Sequence, residues 1–192
     1  QELLAKMGNP EKTMKYVHIT GTNGKGSTAA MTASILRKAG YQTGLYTSPF
    51  LWRFNERMNV NGCDISDEEL AEITAEIKPL AESMREHPTE FELVTAIGFA
   101  YFARHKCDIV VLEVGMGGAL DSTNVIPAPE AAVITNIGLD HTEYLGSTFA
   151  QIAETKSGIV KPGCQAVLYP SRPDVEDVVS RVCREKGVGL RV

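Results

Sequence analysis

Neither disulfides, nor zinc clusters, nor a membrane anchor is indicated by this sequence. Its four cysteines, Cys63, Cys107, Cys164 and Cys183, are scattered without a C-x-x-C pair, which points away from a disulfide framework or a zinc site and toward a reducing, cytoplasmic setting. No apolar run is long enough to span a bilayer, and no charged segment followed by an apolar stretch marks a signal peptide. A basic surplus is also missing. With 19 Lys and Arg against 24 Asp and Glu, a net charge of −5, the chain lacks the counterion-displacing surface of a general nucleic-acid binder. What is there is ordinary globular composition, 43% hydrophobic and 22% charged over 192 residues, enough for one substantial α/β core.

Strand-like and helical patterns alternate along the chain. Residues 16–20 form a β-type run, 24–39 a helical pattern stopped by Gly40, and 43–47 a second strand broken by Ser48-Pro49. Residues 50–62 read as a long, irregular, partly aromatic loop, the kind that is functional or mobile. Ser66 and Glu69 form a capping box that opens a helix to about residue 86, with Pro79 expected to kink or divide it. A helix over 91–105 carries one apolar face, comprising Phe91, Val94, Thr95, Gly98, Phe99 and Phe102. Strands follow at 108–114, 131–137 and 166–169, with helices at 148–159 and 174–186. This order predicts a doubly wound, mostly parallel sheet flanked by helices, with ligands at the carboxyl ends of the strands.

The run Val17-His-Ile-Thr-Gly-Thr-Asn-Gly-Lys-Gly-Ser-Thr28 reads as a phosphate-binding loop between the first strand and the first long helix. Gly21, Gly24 and Gly26 permit positive φ and close backbone approach, so that N–H groups of Gly21, Thr22, Asn23 and Gly24 point at phosphate oxygens beside the positive end of the helix. Lys25 supplies a charge to the β- and γ-phosphates, and Ser27 or Thr28 a hydroxyl near magnesium. The pattern departs from G-x-x-x-x-G-K-[ST] twice, with Ile19 at the first glycine position and Gly26 between Lys25 and Ser27. Elsewhere, Glu113 stands at the carboxyl edge of an apolar strand. A carboxylate there is costly unless it is paired or metal-bound, which makes it a magnesium-ligand candidate.

The string T-G-T-N-G-K-G-S resembles the loop of the Mur ligase superfamily, and the glycine between Lys and Ser is similar to its folylpolyglutamate and dihydrofolate synthase branch. Three further blocks carry the resemblance: Tyr46-Thr-Ser-Pro-Phe-Leu with Phe54-Asn-Glu-Arg; Leu112-Glu-Val-Gly-Met-Gly-Gly-Ala-Leu-Asp-Ser-Thr-Asn124; and Thr135-Asn-Ile-Gly-Leu-Asp-His141 with Glu154-Thr-Lys-Ser-Gly-Ile159. It extends from Gly8 to about Pro170, and the tail beyond matches no motif.

The resemblance implies a P-loop α/β fold of the Mur-ligase central-domain type, truncated, with residues 1–192 forming one ATP-binding domain and a carboxyl-terminal glutamate-ligase domain absent. The opening on Gln1 within a helical pattern likewise reads as a fragment of a longer protein. The implied reaction is ATP-dependent addition of L-glutamate to a folate or dihydropteroate through an acyl phosphate. The complete protein is expected to act as a monomer on small molecules, with no nucleic-acid or membrane partner. ATP and two magnesium sites are implied, with Ser48, Glu113 and His141 as metal ligands and Lys25, His141 and Lys156 as catalytic groups. The resemblance makes Lys156 an N-carboxylated side chain.

Substrate contacts are implied at Phe50, Phe91, Glu92, Leu120, Asp121 and Ser122, and Phe50, Trp52, Phe54 and Phe91 offer stacking surface for a flat heterocycle. Two positions depart from the family pattern: Phe50 stands where a His is usual, and Ala119 where an Arg is usual. The loss of that Arg removes an anion contact. A different Mur-type amino-acid ligase is the near alternative, disfavoured by Gly26. A GTPase-type switch is the distant one, lacking both N-K-x-D and D-x-x-G. His18, His87 and His105 match no motif and are assigned to a strand and to surface positions.

Overall fold

The computed structural model describes residues 1–192. In chain order the elements are α1 (Glu2–Lys6), β1 (Lys15–Thr20), α2 (Lys25–Lys38), β2 (Thr43–Tyr46), β3 (Met58–Val60), β4 (Cys63–Asp64), α3 (Asp67–Glu82), α4 (Glu90–Arg104), β5 (Ile109–Glu113), β6 (Ala131–Ile134), α5 (Thr142–Leu145), α6 (Phe149–Lys156), β7 (Gln165–Leu168), α7 (Pro173–Lys186) and β8 (Gly189–Arg191). They build one eight-stranded sheet in the order β4-β3-β2-β5-β1-β6-β7-β8. Strands β2 and β5–β8 run parallel with β1, and at one edge β3 alone is reversed, pairing antiparallel with both β2 and β4.

Strand alternation divides the core between the two faces. On β5, Val110 and Leu112 pack with residues of α3 and α4, whereas Ile109 and Val111 pack under Ala29 and Ala33 of α2. Glu113 continues the second set, which aims its carboxylate at the first turn of α2. A third cluster joins β6 and β7 to α6 and α7. Two glycines let α4 sit close to β2: a Cβ at Gly98 would lie 3.0 Å from the Tyr46 ring, and one at Gly44 would lie 2.7 Å from Phe102.

Several expectations require correction. The segment 50–62 is not irregular throughout. It contains a 3-10 turn over Phe54–Arg57 and then β3, which returns through a two-residue turn at Asn61-Gly62 to β4. Asn61 and Gly62 have φ of 52° and 91°, the conformation of a tight hairpin turn for which Asn-Gly is suited. Pro79 neither divides nor ends α3, because Ile73, Ile77 and Ala81 stay buried on one face across it; the helix stops at Glu82, a turn short of expectation. Helix α4 is apolar nearly all round, with Val94 to Phe99 buried in succession, because it is enclosed by the sheet and its neighbours. Strand β8, unread in the sequence, follows the left-handed Gly187 cap of α7 and pairs with β7.

Candidate functional site

The carboxyl ends of β1, β2, β5 and β6 meet where the strand order reverses around β1, the position at which open α/β sheets bind ligands. Strand β1 ends at Thr20 and α2 begins at Lys25, with Gly24 in the left-handed region at φ 83°. The loop between them is tied to the exit of β6. Thr22 N donates to the Asn136 carbonyl at 2.7 Å, and the Thr22 hydroxyl exchanges hydrogen bonds with Gly138. Thr135 Oγ1 donates to the Asn23 carbonyl at 2.8 Å, and a Cβ at Gly21 would overlap that hydroxyl. Gly26 serves differently from the expectation. It lies within α2, not at positive φ, and a Cβ there would stand 3.6 Å from Glu113 Oε2. Ser27 is exposed and Thr28 half-buried on the same first turn.

Lys25 folds back over the loop, donating to the Gly21 and Thr22 carbonyls at 3.1 and 3.3 Å. Lys156, the last residue of α6, is buried and donates to the same Gly21 carbonyl at 3.0 Å. It is not the solvated, salt-bridged lysine of an ordinary helix surface, since Glu154 pairs with Arg181 instead. Burial, and then the charge of Lys25, lower the Lys156 ammonium to a pKa of about 8, against the opposing pull of Asp140 and Asp121. Lys25, Lys156, Asp140 and His141 line a small pocket of about 30 Å³ with Gly115–Gly117.

Glu113 is buried, and its Oε2 accepts the Ser48 backbone N–H at 3.1 Å. Burial pushes its carboxyl upward, partly offset by that N–H and by Lys25. Its Oε1 makes no hydrogen bond within the chain. His141 occupies a left-handed position at the start of α5, half-exposed, with Nε2 3.6 Å from Asp140 Oδ2. No three His, Cys, Asp or Glu side chains surround a single point, so Glu113 and His141 are not gathered into an all-protein cage. A hard cation held by one carboxylate, a hydroxyl and an imidazole, and completed by water and phosphate oxygens, suits this donor set. A carboxylate drawn into the protein, with Oε2 held by Ser48 N–H and Oε1 left without a partner in the chain, is the feature that fits magnesium.

An open cleft of about 630 Å³ lies alongside, lined by Ser48, Pro49, Arg57, Phe91, Gly115–Gly118, Leu120, Asp121, Ser122, Tyr144, Leu145 and Thr155. The structure therefore brings Phe91, Leu120, Asp121 and Ser122 together, next to the Ser48 end of the metal-ligand candidates. Phe91 meets Tyr46 edge-on at 6.5 Å, and Leu120 is almost wholly exposed. Phe50 and Glu92 do not line this cleft. Phe50 packs against Phe54, while the Glu92 carboxylate accepts the Thr89 N–H at 2.8 Å and caps α4. Trp52 projects into solvent. Arg57 was not singled out from the sequence. Its guanidinium stacks 5.3 and 5.6 Å from the centroids of Phe50 and Phe54, and its Nε is buried without a partner. Its place at the end of the Phe54-Asn-Glu-Arg block was the signal for it.

The Mur ligase middle domain family matches residues 19–173. The chain belongs to the Mur ligase family. Within it, similar proteins include folylpolyglutamate and dihydrofolate synthases. The chain is 46% identical over 184 residues to the dihydrofolate synthase/folylpolyglutamate synthase of Bacillus subtilis (strain 168), covering 93% of this chain and 43% of that protein. It superposes on a folylpolyglutamate synthase in complex with AMPPCP and folate with a TM-score of 0.95 and 41% identity, over 98% of this chain and 47% of the other. For the Mycobacterium tuberculosis folylpolyglutamate synthase complexed with ADP and AMPPCP the TM-score is 0.93 at 36% identity, over 99% and 45%. The chain thus spans less than half the length of these family members. No helix is long and apolar enough to cross a membrane.

Proposed function

We propose that this chain is the ATP-binding domain of a ligase that adds L-glutamate to a folate or dihydropteroate. The observation that carries the reading is the junction of two sites: a P-loop with Lys25 and Lys156 above one carbonyl, opening beside a cleft that places Phe91 and Asp121 next to Ser48. The loop amides and Lys25 hold the nucleotide phosphates, with the start of α2 adding its dipole. Phe91 and the apolar rim of the cleft receive the flat part of the substrate and direct its carboxylate toward the γ-phosphate.

The substrate carboxylate attacks the γ-phosphorus, the bond to the bridging oxygen of ADP breaks, and an acyl phosphate forms. The amine of glutamate then displaces phosphate to give the amide. Lys25 and the loop amides counter the charge that spreads over the phosphoryl oxygens during transfer. Ser48, Glu113 and His141 would hold magnesium, which would supply further charge neutralisation when bound. Lys156, whose amine is readily deprotonated, reacts with carbon dioxide: its nitrogen bonds the carbon, one proton leaves, and a carbamate oxygen donor replaces a cation next to Lys25.

The test is product analysis of the complete enzyme with ATP, magnesium, labelled glutamate and either dihydropteroate or tetrahydrofolate. Glutamylated product with one or both substrates, dependent on ATP, is expected. Failure with both pteridines overturns the folate reading.

A further inference from the structure

On β1, Tyr16, His18 and Thr20 fall on one face by alternation, and His18 is fully buried three residues before Gly21. Its Nε2 lies 2.9 Å from Thr123 Oγ1. Thr123, also fully buried, donates its hydroxyl to Asp121 Oδ1 at 2.5 Å. A hydroxyl has one proton. Once that proton is committed to the carboxylate, Thr123 Oγ1 is left to accept, so His18 must be the Nε2–H tautomer. Consistently, Nδ1 is buried with no partner and carries the lone pair. Burial, helped by Lys161, keeps the ring neutral.

The carboxylate at the end of this chain is held from both sides. Oδ1 also accepts the Thr123 N–H, and Oδ2 accepts the Met116 N–H, each at 2.9 Å. Asp121 lines the cleft together with Phe91, both close to Gly115. A buried nitrogen without a partner destabilises the fold, and the imidazole is the side chain at this position that directs a donor onto Thr123. We propose that His18 and Thr123 are positioning residues that fix the Asp121 carboxylate as the acceptor for N–H donors of the substrate heterocycle. This rests on the proposed assignment of the cleft to a folate substrate. It also ties substrate geometry to β1, the strand that leads into the nucleotide loop.

The test measures KM for the pteridine substrate, KM for ATP and melting temperature in the complete enzyme. Thr123→Val and His18→Leu are expected to raise the pteridine KM about tenfold while moving the ATP KM less than about twofold, the scale of one hydrogen bond to a charged group. Thr123→Ser restores the parent value, and Thr123→Val adds nothing in an Asp121→Ala background. If Asp121→Ala leaves the pteridine KM unchanged, the assignment of the cleft fails and the positioning role falls with it. If Asp121→Ala raises that KM but Thr123→Val changes only the melting temperature, or shifts both KM values alike, the relay alone is overturned.

Discussion

The ammonium groups of Lys25 and Lys156 share one acceptor, the carbonyl oxygen of Gly21, at 3.1 and 3.0 Å. Two cations on one neutral oxygen repel each other, and burial lowers Lys156 to a pKa of about 8. Converting Lys156 to a carbamate turns this repulsion into attraction. The modification is expected to increase as pH rises through about 8, when the neutral amine becomes the main form. A carbamate carbon signal from labelled bicarbonate checks it. Activity lost in Lys156→Ala should be partly restored by short carboxylic acids.

Removal of the other lysine tests the phosphate loop. Lys25→Ala is expected to weaken Mg-ATP binding by about 1.5–3 kcal/mol, the value of a charge-assisted contact. Titration calorimetry reads this directly, and unchanged affinity would place the phosphates elsewhere.

Glu113→Gln separates chemistry from stability. The buried carboxyl is already pushed toward its neutral form by desolvation. The amide should therefore leave the melting temperature equal or higher while lowering turnover by roughly 10²-fold or more. His141→Ala should lower turnover without changing the fold, since the side chain is half-exposed. Near-normal turnover of either variant at limiting magnesium would remove it from the ligand set.

His18 sets an acid limit on stability. Its pKa is lowered to about 3 in the folded chain, from an ordinary value of 6.5, by burial and then by Lys161. Between these values the unfolded state binds the extra proton. The stabilisation is therefore complete above pH 6.5 and is lost as pH falls toward 3, at about 1.4 kcal/mol per unit. Denaturant titrations at pH 7, 5.5 and 4.5 should show this slope, and His18→Gln should flatten it.

Much of the candidate site was legible because its signals are local. The strand–glycine–lysine–helix run pointed to the candidate phosphate loop, and a lone carboxylate in an apolar strand pointed to Glu113 as a candidate ligand. The burial of Lys156 was also readable in principle: it lies three and four residues after Ala153 and Ile152, on the buried face of α6. What could not be read depended on where the folded chain places each side chain. Arg57 became distinct only when the turn placed it over Phe50 and Phe54, and His18 only when Thr123 came to face it from 105 residues away. The hairpin of β3 and β4 carried an Asn-Gly signal at Asn61-Gly62, but the aperiodic residues before it masked the strands.

The most direct measurement of the central claim follows oxygen. The complete enzyme is supplied with ATP, magnesium, glutamate and a substrate whose reacting carboxylate carries ¹⁸O. Attack on the γ-phosphate predicts ¹⁸O in the released inorganic phosphate. Label in AMP, or none in phosphate despite amide formation, would contradict the account.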